Sequence, residues 1–153
     1  MKIFGFKKNK IKLNYIDSIL NLDKIKKLRN YPYEEIYAIF LRRSENDKKD
    51  FTPIYEYRYG FGNEYAIAID SYKPNEIPEI SKMFDADAIV IVHNHPTING
   101  KISRAYPSKG DIESTIDVAK DWQSKGCLLL DHIIINEKNH YSFVENDLIN
   151  ILE

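Results

Sequence analysis

A single cysteine, Cys127, permits no internal disulfide and no Cys-x-x-Cys pair. A zinc deaminase, which needs such a pair beside its His-x-Glu, is thereby excluded. No apolar run approaches the roughly 18 residues of a membrane span. Met1 to Lys12 has no hydrophobic block behind its lysines, so no signal peptide is expected. A cytoplasmic location without a membrane partner is the expectation. Neither a dinucleotide-binding glycine motif nor a phosphate loop occurs, and there is no repeat or low-complexity tract. At 153 residues the chain is also too short for a TIM barrel, which takes roughly 250.

What is present suits one globular domain with its own core: 43% hydrophobic residues and a formal charge of −1. Cys127 precedes Leu128-Leu129-Leu130 and reads as core. The near-zero charge hides an asymmetry. Residues 1–30 carry nine Lys/Arg against two Asp, about +7, which leaves about −8 on the rest. A basic segment can contact phosphates or an acidic partner, but with acidic bulk behind it this is not the footprint of a dedicated DNA binder.

The informative stretch is Ala88-Ile89-Val90-Ile91-Val92-His93-Asn94-His95-Pro96. An unbroken β-branched run reads as a strand buried on both faces. It ends in two histidines whose i, i+2 spacing points them the same way. Asp111 then arrives on the first turn of an expected helix. Two imidazoles and one carboxylate can close on one cation with a coordination position to spare, the ligand count of a catalytic zinc site.

His93-Asn94-His95-Pro96, Pro107-Ser108-x-x-Asp111-Ile112-Glu113 and Leu130-Asp131-His132-Ile133-Ile134-Ile135 together resemble the RadC-type branch of the JAMM (MPN+/JAB) metalloprotease superfamily. The resemblance runs from about Glu34 to Phe143. It implies an α/β, cytidine-deaminase-like JAB/MPN fold with a mixed sheet flanked by helices. It also implies Zn2+ held by His93, His95 and Asp111, a serine near the metal-bound water, here Ser108, and an upstream glutamate as base. Glu34 fits the family's strand pattern, and Glu35 is the alternative if the count is made back from Ala38. The sequence departs from the family at one place. Seven residues usually separate the second histidine from the serine, which here selects Ser103 with Tyr106 in the place of the acid. Reading Ser108 and Asp111 instead requires a five-residue insertion between 96 and 107, and only Asp111 restores the third ligand.

The remaining chain supplies the frame. The basic segment 1–30 is read as part of the domain, with a helix from about Ser18 to Arg29 ended by Tyr31-Pro32-Tyr33. The JAB/MPN unit is expected over 31–153. Strands are expected at 34–41, 54–59 and 65–69, with a charged loop at 42–50 and a turn at 60–63. The tyrosines at 55, 57, 59 and 65 are read as structural. A helix over 74–84 should turn Ile77, Ile80 and Phe84 toward the sheet. A long loop over 97–106 offers Lys101 and Arg104 to a substrate carbonyl or anion. Ser108-x-x-Asp111 also has the form of a capping box, opening a helix that buries Ile112, Ile116, Ala119 and Trp122 and stops at Gly126. Strands at 128–136 and 141–144 close the unit. Asp131 and His132 are read as supporting residues, and His140 as a turn residue.

The resemblance implies a zinc metalloprotease or isopeptidase acting on a peptide or protein, including a ubiquitin-like conjugate. The rival expectation is an accessory protein of DNA repair or mobile elements that binds a partner without turnover. RadC-type proteins usually carry an N-terminal DNA-binding region, and 33 residues before Glu34 leave little room for one. That weighs against direct nucleic-acid recognition. Oligomeric state is not readable.

Overall fold

The computed structural model describes residues 13–62, 67–68 and 75–149. In chain order the elements are α1 (Asn14–Leu20), α2 (Asp23–Leu28), β1 (Glu35–Arg43), β2 (Phe51–Gly62), β3 (Ile67–Ala68), α3 (Glu76–Met83), β4 (Ala88–Asn94), α4 (Lys109–Ser124), β5 (Leu129–Ile135) and β6 (His140–Ser142). The strands make one six-stranded sheet in the order β3-β2-β1-β4-β5-β6. Among the described strands only β4 and β5 are parallel neighbours, and the connection between them carries α4, because parallel neighbours need a long crossover. The expected α/β fold with a mixed sheet flanked by helices is the one formed.

β4 is buried at all seven positions, as its β-branched run requires. Alternation divides it between two cores. Val90 and Val92 join Tyr15, Ile16, Ile19, Ile25 and Leu28 of α1 and α2. Ile89 and Ile91 join Ile77 of α3, Trp122 of α4 and Cys127. At about 1.5–3 kcal/mol per fully buried branched side chain, this one strand anchors helices on both faces.

Several boundaries differ from the sequence reading. The single helix expected over 18–29 is two helices, beginning at Asn14 and broken at Asn21-Leu22, where Leu22 is extended (φ −65°, ψ 137°). Asn21 and Asp23 favour helix ends over interiors, and the break lets Ile19 and Ile25 both bury completely. β1 continues to Arg43, which shortens the charged loop. β2 starts at Phe51 and runs through Gly60 instead of turning there. Its ladder with β1 slips twice, beside Pro53 and beside Gly60, the residue types that bulges accommodate. The strand expected over 65–69 is represented by Ile67–Ala68; Asn63, Tyr65, Pro74 and residues 1–12 lie outside the described residues. Helix α3 starts at Glu76, with Pro78 in its first turn. On α4 the fully buried residues are Thr115 and Trp122, while Ile112, Ile116 and Ala119 are half-buried. Ser108 caps it, and the chain leaves through Gly126 at φ 81°, a left-handed position suited to glycine. His140 opens β6 instead of lying on a turn, and its ring faces Glu145 at 3.0 Å.

A bulge in β5 decides which way its polar residues face. Ile89 pairs with Leu129 but Val90 pairs with Asp131, so Leu130 is the extra residue. Leu130 and Asp131 consequently face α1, and His132 returns to the α4 side. Asp131 is completely buried, yet four donors reach its carboxylate. Oδ2 accepts from the hydroxyls of Tyr15 (3.0 Å) and Ser142 (2.5 Å), and Oδ1 from the amides of His132 (2.7 Å) and Val144 (3.1 Å). Burial pushes the carboxyl up to about 7 from 3.8, with these donors pulling it back.

Asp131→Ala strands those four donors in the core and should cost about 3–5 kcal/mol in a urea denaturation. Asp131→Asn preserves the shape of the protonated acid and gives a pH test. Because the folded value lies above the unfolded one, the group's contribution is fully present below about pH 4 and is lost as pH rises toward 7. Wild-type stability measured against Asp131→Asn should therefore fall between those limits.

Candidate metal centre

His93 lies on the same face of β4 as Ile89 and Ile91, toward α4. Asn94 faces the other way: its Oδ1 accepts from the Glu35 amide (2.8 Å) and its Nδ2 donates to the Tyr33 carbonyl (3.0 Å). His95 lies just past the strand, its amide donating to the Ile135 carbonyl at 2.8 Å. The third group comes from the start of α4. Ser108 Oγ accepts from the Asp111 amide (3.0 Å) and Asp111 Oδ2 accepts from the Ser108 amide (2.9 Å), a reciprocal capping box. Capping and site-building are thus two uses of one carboxylate. His93 Nε2 and His95 Nε2 are 3.2 Å apart, and each is 3.9 Å from Asp111 Oδ2. Among the described residues, one ligand atom from each of His93, His95 and Asp111 falls within 4.8 Å of the others.

The long loop read as an insertion brings Asp111, not Tyr106, to the histidines. Ser103 gives its carbonyl to Asn136 Nδ2 (2.8 Å), which fastens the loop to the end of β5. Arg104 acts through its backbone: its carbonyl lies 2.6 Å from His95 Nδ1. The Arg104 and Lys101 side chains are exposed.

That carbonyl tests whether the residues fit a cation. A carbonyl only accepts, so His95 Nδ1 carries the hydrogen and Nε2 bears a lone pair. The lone pair points into a cluster that already holds a second imidazole and a carboxylate. Two nitrogens each about 2.0–2.1 Å from one tetrahedral ion sit close to the observed separation. Burial lowers His93 to about 4, against the opposing pull of Asp111 and with a smaller push from His95, so its ring is neutral. The donor set suits a divalent ion.

The two candidate bases have different surroundings. Glu35 is buried, and its carboxylate is 2.7 Å from Arg58 Nη1 on β2. Glu34, one residue before β1, is two residues from Ile36, which pairs with His93, and lies near enough to Asp111 to feel its charge. Its carboxyl is half-buried and pushed up to about 7, chiefly by desolvation and then by the Asp111 charge. Ser108 remains exposed at the helix start with its hydroxyl hydrogen not used by the cap.

Behind the cluster lies buried His132, 2.7 Å by Nε2 from His93 Nδ1, and buried Thr115, 2.7 Å by Oγ1 from His132 Nδ1. Thr115 is absent from the sequence reading. Its only signal is the four-residue spacing from Asp111, which puts both on one side of α4. The tyrosines are structural where described: Tyr55 stacks on Phe84 with centroids 4.3 Å apart, and Tyr57 donates to Glu76.

A mixed sheet whose buried strand ends in two histidines facing a helix-borne aspartate defines an α/β protein of the JAB/MPN type. A family model of the RadC-like JAB domain matches residues 18–148, and the chain belongs to that family. It is similar to a UPF0758 protein of Fusobacterium nucleatum subsp. nucleatum, at 37% identity over 129 residues, 82% of this chain and 50% of that protein. A UPF0758 protein of Coprothermobacter proteolyticus is 29% identical over 122 residues, 80% of this chain and 46% of that protein. A third, from Streptococcus thermophilus, is 36% identical over 73 residues, 48% of this chain and 30% of that protein. The chain thus spans half or less of the length of these relatives. No helix among the described residues is long and apolar enough to cross a membrane.

Protein purified without chelator should carry about one divalent ion per chain by elemental analysis. His95→Ala and Asp111→Ala should lose it, whereas Arg104→Ala, which keeps the carbonyl facing His95, should retain it.

Proposed function

We propose that this chain is a zinc-dependent hydrolase that cleaves a peptide or isopeptide bond, the latter including a ubiquitin-like conjugate. The supporting observation is an acid outside the ligand set: Glu34, half-buried just before β1, its carboxyl pushed up by desolvation and by the nearby Asp111 charge. A structural metal site has no use for such a group, while a hydrolytic one needs a carboxyl able both to take and to give a proton near neutrality. His93, His95 and Asp111 would hold the ion. When bound, zinc supplies Lewis acidity and lowers the pKa of water toward about 7.

The chain's own groups do the rest. Glu34 accepts the proton of the attacking water and returns it to the departing amine, so the leaving group departs neutral. The Ser108 hydroxyl donates to the oxygen of the scissile carbonyl as it gains charge. Glu35, turned toward Arg58, has no part in the chemistry and helps hold β1 against β2.

Panels of fluorogenic peptides and ubiquitin-like isopeptide conjugates offered to the zinc-loaded chain test this. Glu34→Gln should lower the rate at least about 100-fold while leaving zinc content unchanged. Glu35→Gln should stay within a few-fold of wild type. A chelator should abolish cleavage and added zinc restore it. A zinc-loaded wild type that cleaves nothing in either panel would favour the partner-binding alternative.

A further inference from the structure

Whether His93 can ligate depends on which of its nitrogens carries the hydrogen, and the answer lies two residues behind it. Thr115 Oγ1 is 2.6 Å from the Asp111 carbonyl and 2.7 Å from His132 Nδ1. The hydroxyl has one hydrogen. A carbonyl cannot donate, so at 2.6 Å the hydrogen must lie between Thr115 and Asp111. Thr115 therefore accepts from His132, which fixes His132 as its Nδ1–H tautomer. Its Nε2 is then a lone pair, and the 2.7 Å contact with His93 Nδ1 closes only if His93 donates. His93 Nε2 is left bare, facing His95 and Asp111. The opposite assignment, with Thr115 donating to His132, would leave two acceptor oxygens 2.6 Å apart with no hydrogen between them.

We infer that Thr115 and His132 form a positioning relay, in which a hydroxyl anchored on the backbone of one ligand, Asp111, sets the tautomer of another, His93. This rests on the metal reading above for its purpose, but not for its geometry. All three side chains are buried, so no water competes for these hydrogen bonds, and Phe143 stacks on the His132 ring at 4.7 Å to hold its plane. Without the hydroxyl, His132 gains by moving its hydrogen to Nε2, where it meets His93 Nδ1. His93 must then carry its own hydrogen on Nε2, where the ion belongs.

Two measurements on the full chain decide it. Zinc affinity, read by competition with a chromogenic chelator, should weaken on the order of 10- to 100-fold in Thr115→Val. It should return to within a few-fold of wild type in Thr115→Ser, which restores the hydroxyl. In a long-range 15N–1H correlation spectrum of the metal-free wild type, His93 and His132 should both appear as Nδ1–H tautomers. Wild-type affinity in Thr115→Val, or His93 appearing as Nε2–H, would overturn the relay. Should the wild type bind no zinc at all, the hydrolase reading fails by itself, and the tautomer spectrum still decides the relay.

Discussion

Burial of β4 on both faces is the constraint from which the rest follows. A strand covered by helices above and below has no freedom of register, because a slip of one residue would exchange the contents of two differently shaped cores. Its last residues inherit that rigidity. His93 projects toward α4 for the same reason that Ile89 and Ile91 do, and Asn94 projects oppositely to tie the segment entering β1. The two histidines are thus placed by hydrophobic packing, at the end of the strand least able to move, while the capped start of α4 brings Asp111 to them.

The polar interior is organised around the same strand. On the α1 side, Asp131 gathers two hydroxyls and two amides. On the α4 side, His132 connects the histidine pair to the start of the neighbouring helix. Adjacent residues of β5 serve these two networks, one fully satisfied and structural, the other ending in the facing Nε2 atoms of His93 and His95, 3.2 Å apart. The contrast supports the proposed metal centre: a folded core does not ordinarily leave lone pairs directed at one another.

The central strand, the histidine pair, the capped helix and its glycine stop were legible because each rests on a local pattern: β-branching, an i, i+2 spacing, Ser-x-x-Asp and a left-handed exit. The broken helix at Asn21-Leu22 and the continuation of β2 through Gly60 were not, since tertiary packing decided both. Glu34 and Glu35 could not be separated in sequence, where two neighbouring acids look alike. The charged group beside each distinguishes them, Arg58 for one and Asp111 for the other. Thr115 was invisible because its role depends on a hydrogen-bond direction that no residue pattern encodes.

The extra residue at Leu130 carries a wider consequence. Upstream, Leu129 is in phase with the face that packs Trp122; downstream, the strand must send an acid to one core and an imidazole to the other. No uniform two-residue period meets both demands, and the bulge is the phase slip that reconciles them. A strand of the same composition without that slip would deliver Asp131 to the ligand cluster and His132 to the tyrosine of α1. The centre would then be backed by a second carboxylate, with an altered charge and no imidazole behind His93. One backbone irregularity thereby sets the electrostatic character of the surroundings of His93, and drift in this fold can change that character by insertion or deletion as readily as by substitution.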